Sequence, residues 1–334
     1  MTPPLSIVMA SHNDADQTVI TLSSIRETAP DDVEVIVVDD CSATPLKHYV
    51  QEDEHTKLVT NRYRCGCGPS RHIGASHATG EWLLIVDSHM RFKRGWFECW
   101  EQINKCDLNG SPPVWRSGPP TTIFCATCCG LDTDHMDVNN PVSEYQGATM
   151  NFHGPDRHAK VPKDQVFEAT WLPSKPVIED GAEIPAIMGA CYFISRDWFF
   201  HLGALRFLRT WGCDEQMLSL KSWLAGGSVR LAKLVKIGHK FLIDGKERQK
   251  FGVPPGHVLW NKFFAINTLL PREPAGRLSA LVASVYGREA HDLEAATRMY
   301  RDDYHLIAQE REYNRSIFTR DLAWYCKRFG IPMP

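Results

Sequence analysis

The chain has 334 residues, enough for one large or two modest domains with a real core, and 43% hydrophobic with 23% charged residues excludes a wholly disordered polymer. A formal charge of −3 offers no global basic field for nucleic acid, although residues 240–334 carry 15 Lys and Arg against 11 Asp and Glu, where residues 1–239 carry 22 against 29. No apolar run approaches the roughly 18 residues of a membrane span, and Met1-Thr2-Pro3-Pro4 leads directly into a strand pattern, so a cytoplasmic protein with reduced cysteines is expected.

In chain order, Leu5-Ser6-Ile7-Val8-Met9-Ala10 reads as a first strand. The polar turn Ser11-His12-Asn13-Asp14-Ala15-Asp16 follows and caps a helix over residues 17–28 with Val19, Leu22 and Ile25 inward. Residues 33–38 form a second buried strand that ends in Asp39-Asp40. Strand, helix and strand, with carboxylates at the strand end, make a βαβ unit of the nucleotide-binding kind. The first turn lacks the glycine-rich loop that a dinucleotide enzyme needs for close approach to pyrophosphate. Residues 57–60 suggest a short third strand. Residues 68–80 combine a loop with a short helix carrying Arg71, and Gly80 reads as its C-cap.

Next comes Glu81-Trp82-Leu83-Leu84-Ile85-Val86-Asp87-Ser88-His89, a buried parallel strand that delivers a carboxylate and an imidazole at its C-terminal edge, where open α/β sheets bind ligands. Asp87 and His89 suit one divalent cation with open positions; the bland alternative is a turn cap beside a solvated histidine. Both acidic strand ends, Asp39-Asp40 and Asp87-Ser88-His89, are expected to face one crevice with Arg71 nearby. Residues 110–186 lack sustained periodicity and read as acceptor-side loops. Pattern returns with a strand at 187–194, a helix at 196–201, and a helix opened by Trp211-Gly212-Cys213-Asp214-Glu215, where the acids also suit the helix dipole. Residues 229–232 read as a strand and 236–240 as a loop. Helices are expected at 257–270, 278–285, 291–309 and 316–328. Of the eleven cysteines, Cys65 with Cys67, and Cys125 with Cys128 and Cys129, are the candidate zinc clusters, although neither has the paired spacing of a finger or ribbon.

Taken together and in this order, several groups resemble the GT-A glycosyltransferases, in the branch that joins the family 2 enzymes to the polypeptide N-acetylgalactosaminyltransferases. They are Ser6-Ile7-Val8 with His12-Asn13, Val37-Val38-Asp39-Asp40-Cys41-Ser42, Arg71-His72-Ile73-Gly74-Ala75 with Ala78-Thr79-Gly80, and Asp87-Ser88-His89 with Gly95-Trp96-Phe97-Glu98. Downstream follow Met188-Gly189-Ala190-Cys191, Trp211-Gly212-Cys213-Asp214-Glu215, Trp223 with Gly226-Gly227, and Ile237-Gly238-His239. The resemblance implies an α/β GT-A fold, Rossmann-like, with a mostly parallel nucleotide-binding sheet and helices on both faces. It would occupy residues 1–241, with 242–334 as a C-terminal helical extension. It does not extend to the lectin domain that commonly follows in the N-acetylgalactosaminyltransferases.

The resemblance further implies a UDP-sugar donor, with Asp39 and Asp40 on uracil and ribose and Arg71 and Asp87 in the donor site. It implies a Mn²⁺ or Mg²⁺ ion on Asp87, His89 and His239. At the tryptophan-glycine motif the chain departs from the N-acetylgalactosaminyltransferases, whose motif continues Gly-Glu-Asn. Glu215 instead takes the slot that supplies the general base in inverting family 2 enzymes, with Asp214 positioning substrate, so inversion is favoured over retention, which stays open. Acceptors consistent with the resemblance are a glycan, a protein Ser/Thr, or a hydroxymethylated pyrimidine in DNA. The last would use Arg301, Tyr304, Arg311, Tyr313, Arg315 and Arg320 as a phosphate-tracking surface, where the plainer account is a solvated helix face. From a different class, a non-catalytic module that binds sugar nucleotides would keep the same fold.

Overall fold

The computed structural model describes residues 4–105, 120–131, 137–153, 166–173, 178–241, 252–286 and 290–334. Parts of the expected acceptor-side loops (110–119, 132–136, 154–165 and 174–177) lie outside the described residues, as does the stretch 242–251 beside the expected domain boundary.

Four parallel strands, β1 (Leu5–Ser11), β2 (Glu34–Asp39), β3 (Thr56–Thr60) and β4 (Trp82–Asp87), lie in the order β3-β2-β1-β4. β1, β2 and the apolar stretch of β4 are buried along their length, which is why they read as continuous hydrophobic runs. Register sets the functional edge: Ser11 lies opposite Asp39 and Ala10 opposite Asp87, so both acids leave the sheet at the same end. Chain order reverses around β1, and such a switch point is where an open α/β sheet leaves a crevice.

Beyond β4 the sheet is mixed. Antiparallel β9 (Cys191–Ser195) joins β4 to β6 (Thr122–Gly130), and β10 (Ser228–His239) and β5 (Met90–Phe92) continue the path. β7 (Ser143–Asn151) and β8 (Glu168–Pro173) extend from β6 as an antiparallel pair. The described part of residues 110–186 therefore contains three strands where loops were expected. β6 is buried on both faces and shows no alternation, while β7 carries a register shift between Tyr145 and Ala148, around Gly147 at φ +81°, that breaks its period.

Other boundaries moved for physical reasons. Helix α1 (Ala15–Arg26) buries Thr18, Thr21 and Ile25 and leaves Val19 37% exposed. The Thr21 hydroxyl donates to the Ser88 carbonyl at 2.7 Å and accepts from the Met90 N–H at 2.9 Å, so the helix face against the sheet edge is polar. Helix α2 (Cys67–His77) ends at Ala78. Gly80 instead lets the chain pass Ser6, whose Oγ would lie 2.6 Å from a Cβ there. Residues 236–239 are strand, since Ile237 pairs with Phe92 on one side and Cys128 on the other. Residues 187–190 lie ahead of β9, with a turn at Gly189-Ala190, so the strand expected at 187–194 starts only at Cys191.

Helices α3 (Trp96–Lys105), α4 (Arg196–His201) and α5 (Asp214–Leu224) complete this part. The remaining chain forms α6 (His257–Leu269), α7 (Arg272–Tyr286), α8 (Ala290–Asp302), α9 (Tyr304–Ile317) and α10 (Leu322–Phe329), with the break at Asp303 dividing what the pattern showed as one helix. α6 is buried almost all round, including Trp260, Phe264 and Ile266, and shares one continuous core with the sheet. Among the described residues no helix is long and apolar enough to cross a membrane.

A buried ion cluster ties α5 to α9. Lys221, fully buried on α5, pairs with Glu310 and donates to the Leu202 carbonyl at 2.9 Å, and Arg206 Nε donates to the other Glu310 oxygen at 2.8 Å. Glu310→Ala should leave Lys221 buried without its carboxylate and lower stability by about 3–5 kcal/mol, read as the free energy of urea unfolding. The double replacement Lys221→Met with Glu310→Leu should recover most of that loss; an equal loss in both proteins would show that the ion pair is not what α5 and α9 depend on.

Candidate active site

Two strand ends that lie far apart in sequence converge. Asp87 closes β4, His89 stands in the following turn and His239 closes β10. One oxygen or nitrogen from each falls within 4.8 Å of the others, and this is the one such His, Cys, Asp or Glu group among the described residues. Asp87 Oδ2 and His239 Nε2 are 3.2 Å apart. That separation suits neighbouring ligands of an octahedral ion, which lie about 3.0 Å apart when each bond is about 2.1 Å. Burial lowers the basicity of His239 despite the hydrogen bond to Asp87, and this favours the neutral imidazole that binds metals. Its Nδ1 is buried without a partner. The rings of His89 and His239 stand 4.9 Å apart, and Phe241 packs edge-on against His239 at 4.4 Å. A carboxylate and two imidazoles so placed fit a divalent cation while leaving coordination positions open.

Arg71, on α2 and 3% exposed, joins this cluster to α5. One guanidinium nitrogen donates to Asp87 Oδ1 at 2.5 Å and to the Gly189 carbonyl at 3.1 Å, and the other pairs with Asp214. Burial works against the charged guanidinium, but Asp87 and Asp214 outweigh it and raise its basicity further. Burial likewise opposes the charge on Asp87, yet Arg71 and then His239 hold its carboxyl well below the usual range.

The β2 acids are committed to the local backbone. Asp39 accepts from the N–H groups of Ser42 at 2.9 Å and Leu46 at 2.8 Å. Asp40 accepts from Asn61 Nδ2 at 2.9 Å, the Cys65 N–H at 2.7 Å and the Gly66 N–H at 2.6 Å. A carboxylate offers about four lone-pair sites, so each keeps some acceptor capacity beyond these bonds. Asp40 also fixes the 61–66 segment that leads into α2.

Glu215 lies one residue into α5. Its Oε1 accepts from the Gly189 N–H at 2.6 Å and from Trp171 Nε1 at 3.2 Å. Burial, reinforced by the neighbouring Asp214 charge, pushes its carboxyl up to about 8 against the opposing effect of those two donors. Gly189 thus touches Arg71 through its carbonyl and Glu215 through its N–H. A Cβ there would lie 3.0 Å from Glu215 Cγ, so a side chain would crowd the carboxylate.

Three contributors escaped the sequence pattern. Asp14 Oδ2 lies 3.3 Å from His89 Nδ1 and accepts from Ser88 Oγ at 2.9 Å, so it orients the imidazole as a carboxylate behind a ligand does. Its place in the polar turn after β1 was the available signal. Trp171, 38% exposed on β8, bonds Glu215 and packs with Tyr145 at 5.5 Å and Phe241 at 5.3 Å; it lay in the stretch that showed no period. Asn261 of α6, whose side-chain amide bonds the backbone of Arg209, Trp211 and Gly212 just ahead of Asp214, carries no motif at all. The candidate zinc cysteines do not converge on a shared site. Cys125, Cys128 and Cys129 are buried along β6, with Met188 N–H donating to Cys125 Sγ at 3.3 Å.

Residues 6–101 match the family description "Glycosyl transferase family 2". The chain is 26% identical over 269 residues to polypeptide N-acetylgalactosaminyltransferase 11 of Xenopus tropicalis, covering 76% of this chain and 40% of that protein. It is 25% identical over 269 residues to polypeptide N-acetylgalactosaminyltransferase 14 of Homo sapiens, covering 77% and 43%. It therefore spans about two fifths of the length of these relatives. In fold it is similar to GalNAc-T7, solved with UDP, GalNAc and Mn²⁺, with a TM-score of 0.66 at 17% identity over 99% of this chain and 58% of that one. It is also similar to Staphylococcus aureus TarS in complex with UDP-GlcNAc, at 0.51 and 14% over 84% and 72%. The chain thus has a GT-A-like fold, is similar to glycosyl transferase family 2 over residues 6–101, and is similar over about three quarters of its length to the polypeptide N-acetylgalactosaminyltransferases.

Proposed function

We propose that the protein is a metal-dependent glycosyltransferase that moves a sugar from a UDP-sugar to an acceptor hydroxyl. The observation that carries this reading is the convergence of Asp87, His89 and His239, joined through Arg71 to Asp214 beside Glu215. In support, the relatives above are named for transfer of N-acetylgalactosamine, and two proteins of like fold were solved with UDP or a UDP-sugar. Asp39 and Asp40 use their remaining lone pairs on the uracil N–H and ribose hydroxyls. Asp87, His89 and His239 would hold Mn²⁺ or Mg²⁺, which when bound would supply positive charge to offset the charge developing on the departing UDP. Arg71 orients Asp87 and holds Asp214 as a positioning group. With Asp214 paired to Arg71, Glu215 is the carboxylate left to take the acceptor proton, and attack from the face opposite the leaving group gives inversion.

The acceptor classes are a glycan, a protein Ser/Thr and a hydroxymethylated pyrimidine in DNA. Support for the last is weakened because half of its proposed surface is spent internally. Arg311 Nε donates to the Asn267 carbonyl at 2.6 Å, Arg320 donates to the Gly227 carbonyl at 2.8 Å, and Tyr313 donates to the His201 carbonyl at 2.5 Å. Glycan and protein acceptors are left ahead of it.

Offered a panel of UDP-sugars with glycan, peptide and hydroxymethylated-DNA acceptors in Mn²⁺, the protein should yield a sugar-shifted product mass in one acceptor class. UDP release should vanish with chelator and fall at least about 10²-fold in His89→Ala. Turnover indifferent to both treatments would sink the metal assignment, and UDP binding without turnover of any donor would leave the non-catalytic module.

With Glu215 as base, kcat/KM should rise with pH and level off above about 8, the value set by burial and Asp214. Glu215→Gln should flatten that rise and cut turnover by about 10²–10⁴-fold. Stability gives an independent reading. Between the ordinary glutamate value and about 8 the native protein keeps a proton that the unfolded chain has released, so unfolding free energy should fall as pH rises through that window. Glu215→Gln should lack this component of the fall. A product proton spectrum showing the donor's own anomeric configuration retained would remove Glu215 from the role of base.

A further inference from the structure

We infer that Asn261 of α6 is a positioning residue for the acid pair at the start of α5, which makes the first of the C-terminal helices a working part of the catalytic centre. The inference rests on the glycosyltransferase reading above and goes beyond it, because α6 lies outside the matched segment and outside the motif resemblance.

The chain entering α5 is unusual. Thr210, Gly212 and Cys213 have φ of +41°, +98° and +68°, so two of three left-handed positions just before Asp214 and Glu215 are not glycine. Such a run persists only where its surroundings determine it. One fully buried side chain supplies most of that determination. Asn261 Oδ1 accepts from the Arg209 N–H at 2.8 Å, and Asn261 Nδ2 donates to the carbonyls of Arg209 at 2.7 Å, Trp211 at 3.0 Å and Gly212 at 3.0 Å. These backbone groups have no ladder of their own at that point. An aliphatic residue at 261 would leave four of them unsatisfied in the interior.

The next residue grips the other side of the pair. Lys262, 1% exposed, donates to the Val166 carbonyl at 2.8 Å and pairs with Glu168. The second Glu168 oxygen accepts at 3.0 Å from Gln216, which directly follows Glu215. Asn261 thus holds the backbone ahead of the acids, and Lys262 acts through Glu168 on the residue behind them. The same loop is tied to the nucleotide side, where the Thr210 N–H donates to the Cys65 carbonyl at 2.9 Å and the Cys65 N–H donates to Asp40. A shift of α6 therefore displaces Asp214 and Glu215 relative to the crevice, and misplacement by about 1 Å costs a reaction about 10²-fold.

The test compares the full chain with Asn261→Ala, with Lys262→Met, and with Asn314→Ala as a control. Asn314 is a buried amide on α9 that donates to the Thr268 carbonyl at 3.1 Å, at the far end of the same helix. Measured well below each unfolding midpoint with Mn²⁺ and the UDP-sugar that the unmodified protein turns over, Asn261→Ala should lower kcat about 10²-fold and Lys262→Met about 10-fold. Both should keep the affinity for UDP within about two-fold, and Asn314→Ala should keep both kcat and affinity. Hydrogen exchange should show residues 207–216 losing protection in Asn261→Ala while the β1 and β4 peptides keep theirs. Unchanged exchange at 207–216, or a loss of kcat that Asn314→Ala matches, overturns the inference while the functional reading stands. If Asn261→Ala does not fold, Lys262→Met decides by the same two readouts. Absence of turnover by the unmodified protein removes the reading on which the inference rests.

Discussion

The arrangement turns on one buried cation. Arg71 has almost no contact with water, so its guanidinium is tolerable only because two carboxylates meet it from different parts of the chain, Asp87 at the end of β4 and Asp214 at the start of α5. The pairing fixes the separation between the half of the site built by the parallel strands and the half built by the later chain. It also sets the charge. One guanidinium against two carboxylates leaves one formal negative charge beside two imidazoles, an environment that favours a divalent cation and, with it, an anionic diphosphate.

The mixed half of the sheet makes this meeting possible. Because β9 runs antiparallel between β4 and β6, the turn at Gly189-Ala190 arrives at the same edge at which β4 ends. Gly189 in that turn serves Arg71 and Glu215 with opposite ends of two peptide groups. The strand pairing therefore bears directly on the electrostatics, since the Gly189 N–H favours the ionised form of a carboxylate that burial and Asp214 otherwise hold protonated.

Strand interiors and their charged ends were legible in the sequence because burial on both faces writes a continuous apolar run that stops abruptly at an acid. That is how Asp39, Asp40 and Asp87 stood out, and the distant His239 joined them only through the motif order. The reading weakened wherever hydrogen bonds rather than apolar contacts decide which face is inward. Thr18 and Thr21 displaced Val19 from the inner face of α1 because Thr21 bonds the Ser88 carbonyl and Thr18 bonds the Ser11 hydroxyl and the Asp14 carbonyl. β7 vanished from the pattern because Gly147 interrupts its alternation, and β6 because it has none. Asn261 was invisible for a deeper reason: a side chain that bonds the backbone of a distant loop leaves no periodic trace.

The polar residues of the α5–α6 layer also bear on why the helical extension is built as it is. Lys221, Asn261 and Lys262 are all buried, and a buried ion pair is weak evidence for stability in itself. A wholly apolar layer would permit α6 to slide or rotate against α5 at small cost, since dispersion and area burial are nearly indifferent to modest changes of register. Directional bonds are not indifferent. Four hydrogen bonds from Asn261 to residues 209–212, and the Lys262–Glu168–Gln216 chain beside them, admit one register. That register places Asp214 against Arg71 and Glu215 against Gly189. The layer's polarity is thus better explained by what it positions than by what it stabilises.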